Sequence, residues 1–178
     1  MTDISLRMLG IALAGCLFAG VPARAANEGV EHVIYAFQNN SSDGANPAAG
    51  LINVKGTLFG TTPYGGSSGA GTVFSVTPAG VEKVIYAFQN SGGDGTGPVA
   101  GLINVNGTLF GTTRGGGSNN GGTVFLLSQG FEGVLYSFQY NGSDGANPVA
   151  GLIDVNGTLY GTTPYGGSSG AGTVFSLP

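Results

Sequence analysis

A unit of about 50 residues occurs three times in this chain, and a period of that size points to β units that bury their apolar faces by stacking on one another. Residues Asp43–Ser75 and Asp144–Ser176 differ only at Ala48/Val149, Asn53/Asp154, Lys55/Asn156 and Phe59/Tyr160; the middle copy, Asp94–Leu126, keeps the same frame more loosely. Each copy runs Asp-Gly-x-x-Pro, Ala-Gly-Leu-Ile-x-Val-x-Gly-Thr-Leu-(Phe/Tyr)-Gly-Thr-Thr, a glycine-rich stretch, and Gly-Thr-Val-Phe. A last element, Val-(Ile/Leu)-Tyr-(Ala/Ser)-Phe-Gln, precedes each Asp-Gly and starts at Val33, Val84 and Val134.

The repeat divides into four short strands per copy, predicted in the first at Leu51–Val54, Thr57–Thr62, Gly71–Thr77 and Glu82–Gln89. Lys55-Gly56, Asn106-Gly107 and Asn156-Gly157 fall where a two-residue hairpin turn needs positive φ at both central residues. The repeat spacing shortens by one residue between Phe125 and Phe138, where Thr77-Pro78-Ala79-Gly80 gives way to Ser128-Gln129-Gly130. A length change belongs at a turn, because inside paired strands it would flip every later side chain. In the fourth strand Val84, Tyr86 and Phe88 are expected on one face and Ile85 and Ala87 on the other, so both faces are apolar and both should be covered.

The fold expected is all-β: tandem four-stranded antiparallel repeats, β-propeller-like, over units of about 33–83, 84–133 and 134–178. Three blades would form an open arc, half of a six-bladed dimer or a fragment of a longer repeat protein, and a β-trefoil is the structural alternative. The folded part opens on a fourth-type strand, His32–Gln38, and ends on a third-type strand, Gly172–Leu177; pairing these two would complete the third unit.

The matching elements Asp144-Gly-Ala-Asn-Pro148, Gly157-Thr-Leu-Tyr-Gly-Thr-Thr163, Tyr165-Gly-Gly167 and Gly172-Thr-Val-Phe175 resemble the tandem repeats of the choice-of-anchor GloVer-containing proteins, over nearly all of residues 31–178. The resemblance implies an exported, propeller-like repeat protein with no established activity.

Residues 1–25 read as a signal peptide: Arg7, an apolar run from Met8 to Val21 too short to span a bilayer, and the small-x-small site Ala23-Arg24-Ala25. Leu13-Ala14-Gly15-Cys16 offers an alternative, lipid anchoring through Cys16, against which the run continues apolar past the cysteine. Cleavage near Ala25 leaves a 26–178 domain without cysteine, placed outside the cytoplasm. Beyond the leader the cations are Lys55, Lys83 and Arg114, too few for nucleic acid or an anionic membrane as partner. Glycine reaches 36 of 178 residues while charged residues are 8%. The glycines fall between apolar runs that keep register, which argues for turns rather than disorder.

Little of the chain offers catalytic chemistry. The single histidine, His32, has Lys83 and Gly133 at its equivalent positions, so Ser-His-Asp and Cys-His arrangements lack material. Asp43, Asp94 and Asp144 are the acids present in every copy. They could form a rim of ligands for Ca²⁺ or a sugar; the competing and favoured reading is an Asp-Gly turn in which each carboxylate binds its own backbone. Glu82 and Glu132 stand at strand starts with no evident partner, and Gly65–Gly71 lacks the Lys-Ser/Thr ending and helix of a phosphate loop. Tyr64 and Tyr165, at equivalent loop positions, and Tyr140 are the aromatic candidates for stacking on a ligand. The reading is an exported, non-catalytic binding module with Asp43, Asp94, Asp144, Tyr64 and Tyr165 on its contact surface. Its ligand would be a glycan or a protein, with a lectin-like module as the alternative, a polysaccharide-acting enzyme ranked last, and self-association into a homodimer as one way to close the arc.

Overall fold

Residues 29–178 except Gly92 are described by the computed structural model; the expected leader 1–25, with Cys16, lies outside them. Gly29–His32 are exposed and carry no regular secondary structure. The repeats form one unit, Val33–Pro178.

The first copy contributes β1 (Gly44–Ala45), β2 (Ile52–Val54), β3 (Thr57–Thr62), β4 (Tyr64–Gly65), β5 (Thr72–Val76) and β6 (Glu82–Ala87). The second contributes β7 (Gly95–Thr96), β8 (Ile103–Val105), β9 (Thr108–Thr113), β10 (Gly115–Gly116), β11 (Thr123–Ser128) and β12 (Phe131–Ser137). The third contributes β13 (Gly145–Ala146), β14 (Ile153–Val155), β15 (Thr158–Thr163), β16 (Tyr165–Gly166) and β17 (Thr173–Leu177). The main sheets are antiparallel meanders in the orders β2-β3-β5-β6, β8-β9-β11-β12 and β14-β15-β17, and none closes on itself. Beside each lies a two-stranded ladder that the sequence pattern did not predict: β1 with β4, β7 with β10, β13 with β16.

Turn chemistry sets these boundaries. Lys55, Asn106 and Asn156 have φ of 52°, 52° and 54°, each followed by a positive-φ glycine, as a type I′ hairpin demands. The shortened third-to-fourth connection is a second tight turn, with Gln129 at φ 51° and Gly130 at φ 84° between the paired Ser128 and Phe131. The length change therefore falls outside the strands.

Two expectations are corrected. Val73 pairs with Tyr86 and Phe74 with Val84, so Ile85 is an extra, bulged residue, and Leu135 repeats this in the second unit. Val84 and Tyr86 thus face neighbouring residues of β5 and cannot share a face; Ile85 and Tyr86 instead pack on the same cluster. The second correction concerns His32–Gln38, which forms no strand, so that among the described residues β17 pairs only with β15. Its anchors hold it on the first unit: Tyr35 donates to Asp43 Oδ2 at 2.9 Å, and the Phe37 ring meets Phe74 edge-on with centroids 4.9 Å apart.

Successive sheets meet through the same junction twice. One face of the first sheet, with Ile52, Phe59, Val73 and Tyr86, packs with Phe88 against Leu102, Leu109, Phe125 and Leu127 of the second. Their equivalents Ile103, Phe110, Val124, Tyr136 and Phe138 pack against Leu152, Leu159, Phe175 and Leu177 of the third. At each junction a threonine hydroxyl crosses to the next unit, Thr61 to the Ala100 carbonyl at 2.9 Å and Thr112 to the Ala150 carbonyl at 3.2 Å. Edge-to-face phenylalanine pairs join the units as well, Phe88–Phe125 at 5.2 Å and Phe138–Phe175 at 5.1 Å. Gly60, Gly111 and Gly161 stand opposite Phe74, Phe125 and Phe175, and a Cβ on any of them would run into the ring.

Candidate functional site

The loops that open each copy are built on the repeated aspartate. Asp43 Oδ2 accepts from the Tyr35 hydroxyl at 2.9 Å and the Gln38 N–H at 2.6 Å, and Oδ1 accepts from Gly44 N–H at 2.7 Å. Asp94 holds Tyr86, Gln89 and Gly95 at 2.9, 2.7 and 2.6 Å. Asp144 holds Tyr136, Gln139 and Gly145, each at 2.8 Å. The main-chain carbonyls of these aspartates also accept from Gly66, Gly117 and Gly167. Each carboxylate is thus committed to three donors of its own turn and of the segment before it. The three aspartates do not converge: among the described residues no group of three or more His, Cys, Asp or Glu side chains is placed to hold a metal ion.

The glycine after each aspartate is required by its neighbours. A Cβ on Gly44, Gly95 or Gly145 would overlap a threonine pair, whose hydroxyls share a 2.8 Å bond at Thr62–Thr72, Thr113–Thr123 and Thr163–Thr173.

Two glutamates join these clusters from the last strand of the same copy. Glu82 lies beside Tyr35 and Asp43, and Glu132 beside Asp94; Oε1 of each is buried with no hydrogen-bond partner. Burial first, and then the neighbouring aspartate charge, raises both carboxyls, that of Glu132 to about 7. The Tyr35 hydroxyl is pushed up to about 12 by burial and by its bond to Asp43, and Tyr86 and Tyr136 are raised for the same reasons. These phenols stay protonated donors at neutral pH. The sequence hid the glutamates' role because their aspartate partners stand far from them in sequence, at the opening turn of the same copy.

The open surface of the loops lies elsewhere. A cleft of about 360 Å³ is lined by Tyr64, Ser68 and Ala70 of the first copy, Asn90, Thr96, Arg114 and Asn120 of the second, and Asn147 of the third. Its walls are fixed by backbone: Gly97 N–H donates to Ala70 O at 2.8 Å, Arg114 N–H to Gly97 O at 3.1 Å, and Asn147 Nδ2 to Arg114 O at 2.8 Å. A second cleft, also about 360 Å³, is lined by Tyr140, Gly142, Tyr165 and the Gly166–Gly170 loop. Tyr64, Tyr140 and Tyr165 are 53%, 64% and 58% exposed, so the loop tyrosines named from the sequence line clefts, while Asp43 is buried and Asp94 and Asp144 are half-buried. Arg114 escaped the sequence reading because prolines, Pro63 and Pro164, hold its equivalent positions.

The model of the Gloeobacter/Verrucomicrobia repeat matches residues 14–178, and the chain belongs to that family. No curated protein and no solved structure matches it.

Proposed function

We propose that this chain is an exported, non-catalytic β-repeat protein that binds a polar ligand, a glycan before a protein segment, across its loop face. The observation that carries the reading is the Tyr64–Arg114–Asn147 cleft. An exposed aromatic ring, a guanidinium and amide side chains converge there on a concave surface whose walls are held by backbone hydrogen bonds. The Tyr140–Tyr165 cleft supplies a second aromatic platform. Export rests on the charged, apolar and small-x-small order of residues 1–25. Propeller-like stacking is supported by every residue of the second junction having its equivalent in the first.

A glycan-array screen of the secreted protein, followed by calorimetric titration of each hit, tests the reading. Tyr64→Ala and Arg114→Ala are each expected to weaken binding about tenfold, or about 1.4 kcal/mol. An empty array, or hits bound equally by both variants, would remove the assignment. Turnover of any polysaccharide hit would overturn its non-catalytic part.

A further inference from the structure

We propose that two copies of this chain join head to tail, the third unit of one against the first unit of the other, rebuilding between molecules the junction found twice within each. The two ends of the stack are complementary halves of that junction. On the third sheet Val174 is 80% exposed, whereas its equivalents Val73 and Val124 are fully buried. Thr162, equivalent to the crossing donors Thr61 and Thr112, is exposed and lines a 220 Å³ apolar groove with Ile153, Tyr160 and Val174. On the first sheet Leu51 is 49% exposed where Leu102 and Leu152 are 3%. It lines a 270 Å³ groove with Phe74, Val76 and Ala49, whose carbonyl holds the acceptor position of Ala100 and Ala150.

A fourth strand for the third sheet is carried by the second copy. Residues 33–38, Val-Ile-Tyr-Ala-Phe-Gln, are identical to residues 84–89, which carry the β6 sequence. They already sit on the first unit as that element sits on the second, with Tyr35 on Asp43 and Phe37 on Phe74. Among the described residues their backbone has no sheet partner, and neither does the outer edge of β17. Copying the β5–β6 register sets Val33 of the incoming copy opposite Phe175 and Tyr35 opposite Val174. Strand addition of this kind satisfies main-chain groups at both edges and removes an exposed apolar face from water. The contact is heterologous, so it either closes or extends. Two copies closing in both directions give six units, within the usual blade count of about four to eight.

Sedimentation velocity of the full chain across a dilution series, with Val174→Asp and Val33→Asp, tests this. Both side chains face solvent in the single copy, Val33 at 65% exposure, so the fold tolerates a charge that the junction would not. The expected result is a wild-type dimer, or a larger species that dissociates on dilution, and a monomer for each variant alone. Mixing the variants should restore a dimer, since the third unit of Val33→Asp and the first unit of Val174→Asp are both intact. Val174→Thr, still β-branched, should associate more weakly than wild type while keeping its circular dichroism. A wild-type monomer at every concentration, unchanged association of the aspartate variants, or a mixture that stays monomeric would each overturn the proposal.

Discussion

Tyr86 donates its hydroxyl to Oδ2 of Asp94 at 2.9 Å, and the same oxygen takes the Gln89 N–H. The bond ties the fourth strand of one unit to the Asp-Gly turn that opens the next, and Tyr35–Asp43 and Tyr136–Asp144 repeat it. Each repeat is therefore locked to its successor by a carboxylate and a phenol as well as by apolar packing.

Removing the carboxylate should cost more than removing the phenol. Asp94→Ala strands the Tyr86 hydroxyl and the Gln89 and Gly95 N–H groups, a loss of about 2–4 kcal/mol. Tyr86→Phe loses one bond and about 1–1.5 kcal/mol. Urea unfolding midpoints rank the two, and glycan affinity should be the same in both variants as in wild type. A midpoint for Asp94→Ala equal to that of wild type would sink the turn assignment.

The glutamate beside this pair makes stability depend on pH. The Glu132 carboxyl is pushed up to about 7 by burial and then by Asp94, so the folded chain holds that proton more tightly than the unfolded one. The contribution is fully present below the unfolded Glu range and is lost as pH rises through about 7. Glu82 shifts in the same direction. Stability should therefore fall from mildly acidic to mildly alkaline pH, and Glu132→Gln should flatten the fall. After discounting for solvent screening of a half-buried group, the gain at alkaline pH is on the order of 1 kcal/mol. Paired unfolding curves on either side of neutrality check it; a wild-type protein more stable on the alkaline side would contradict the sign.

Strand spans and turns were legible because their signals are local. Asn106-Gly107 declares its hairpin through the φ it needs, and the threonines and Phe110 of Thr108–Thr113 suit the strand that follows. The bulge at Ile85 was not legible, since an extra residue in a run apolar on both faces leaves no mark in the pattern. The β1–β4 ladder was missed because glycine backbone pairing carries no side-chain signature. Residues 33–38 repeat residues 84–89 yet form no strand, because strand formation needs a neighbour and not only a sequence. For the aspartates the sequence favoured a turn over a ligand, but the tyrosine hydroxyls that hold them carry no mark in the repeat pattern.

Lys55 occupies a left-handed turn position, φ 52°, where the other copies have asparagine. A Cβ-bearing residue pays a steric penalty there that asparagine offsets with local hydrogen bonding. Lys55→Asn should raise stability by about 0.5–1 kcal/mol, read as a shift in thermal midpoint. The Asn53 Oδ1 bond to Gly56 N–H, 2.8 Å, should survive the change. A lower midpoint would mean that the lysine stem makes a packing contribution larger than the turn strain.

The strongest test of coupling between units is a double substitution at the Phe88–Phe125 contact. Phe88 is fully buried and meets Phe125 edge-on, the centroids 5.2 Å apart at 74°. Phe88→Ala should cost about 3–5 kcal/mol from lost transfer energy and the cavity left behind. Gly111→Ala would set a Cβ 2.6 Å from the Phe125 ring, forcing that ring toward Phe88 at a cost of about 1–3 kcal/mol. In the double variant the ring displaced by the new methyl can move into the space vacated by Phe88. The combined loss should therefore fall short of the sum by at least about 0.5 kcal/mol, measured by a double-mutant cycle in urea. Strict additivity would mean that the ring between these residues relaxes in some other direction, and that the two units are coupled chiefly through Tyr86, Asp94 and the Thr61 bond to Ala100.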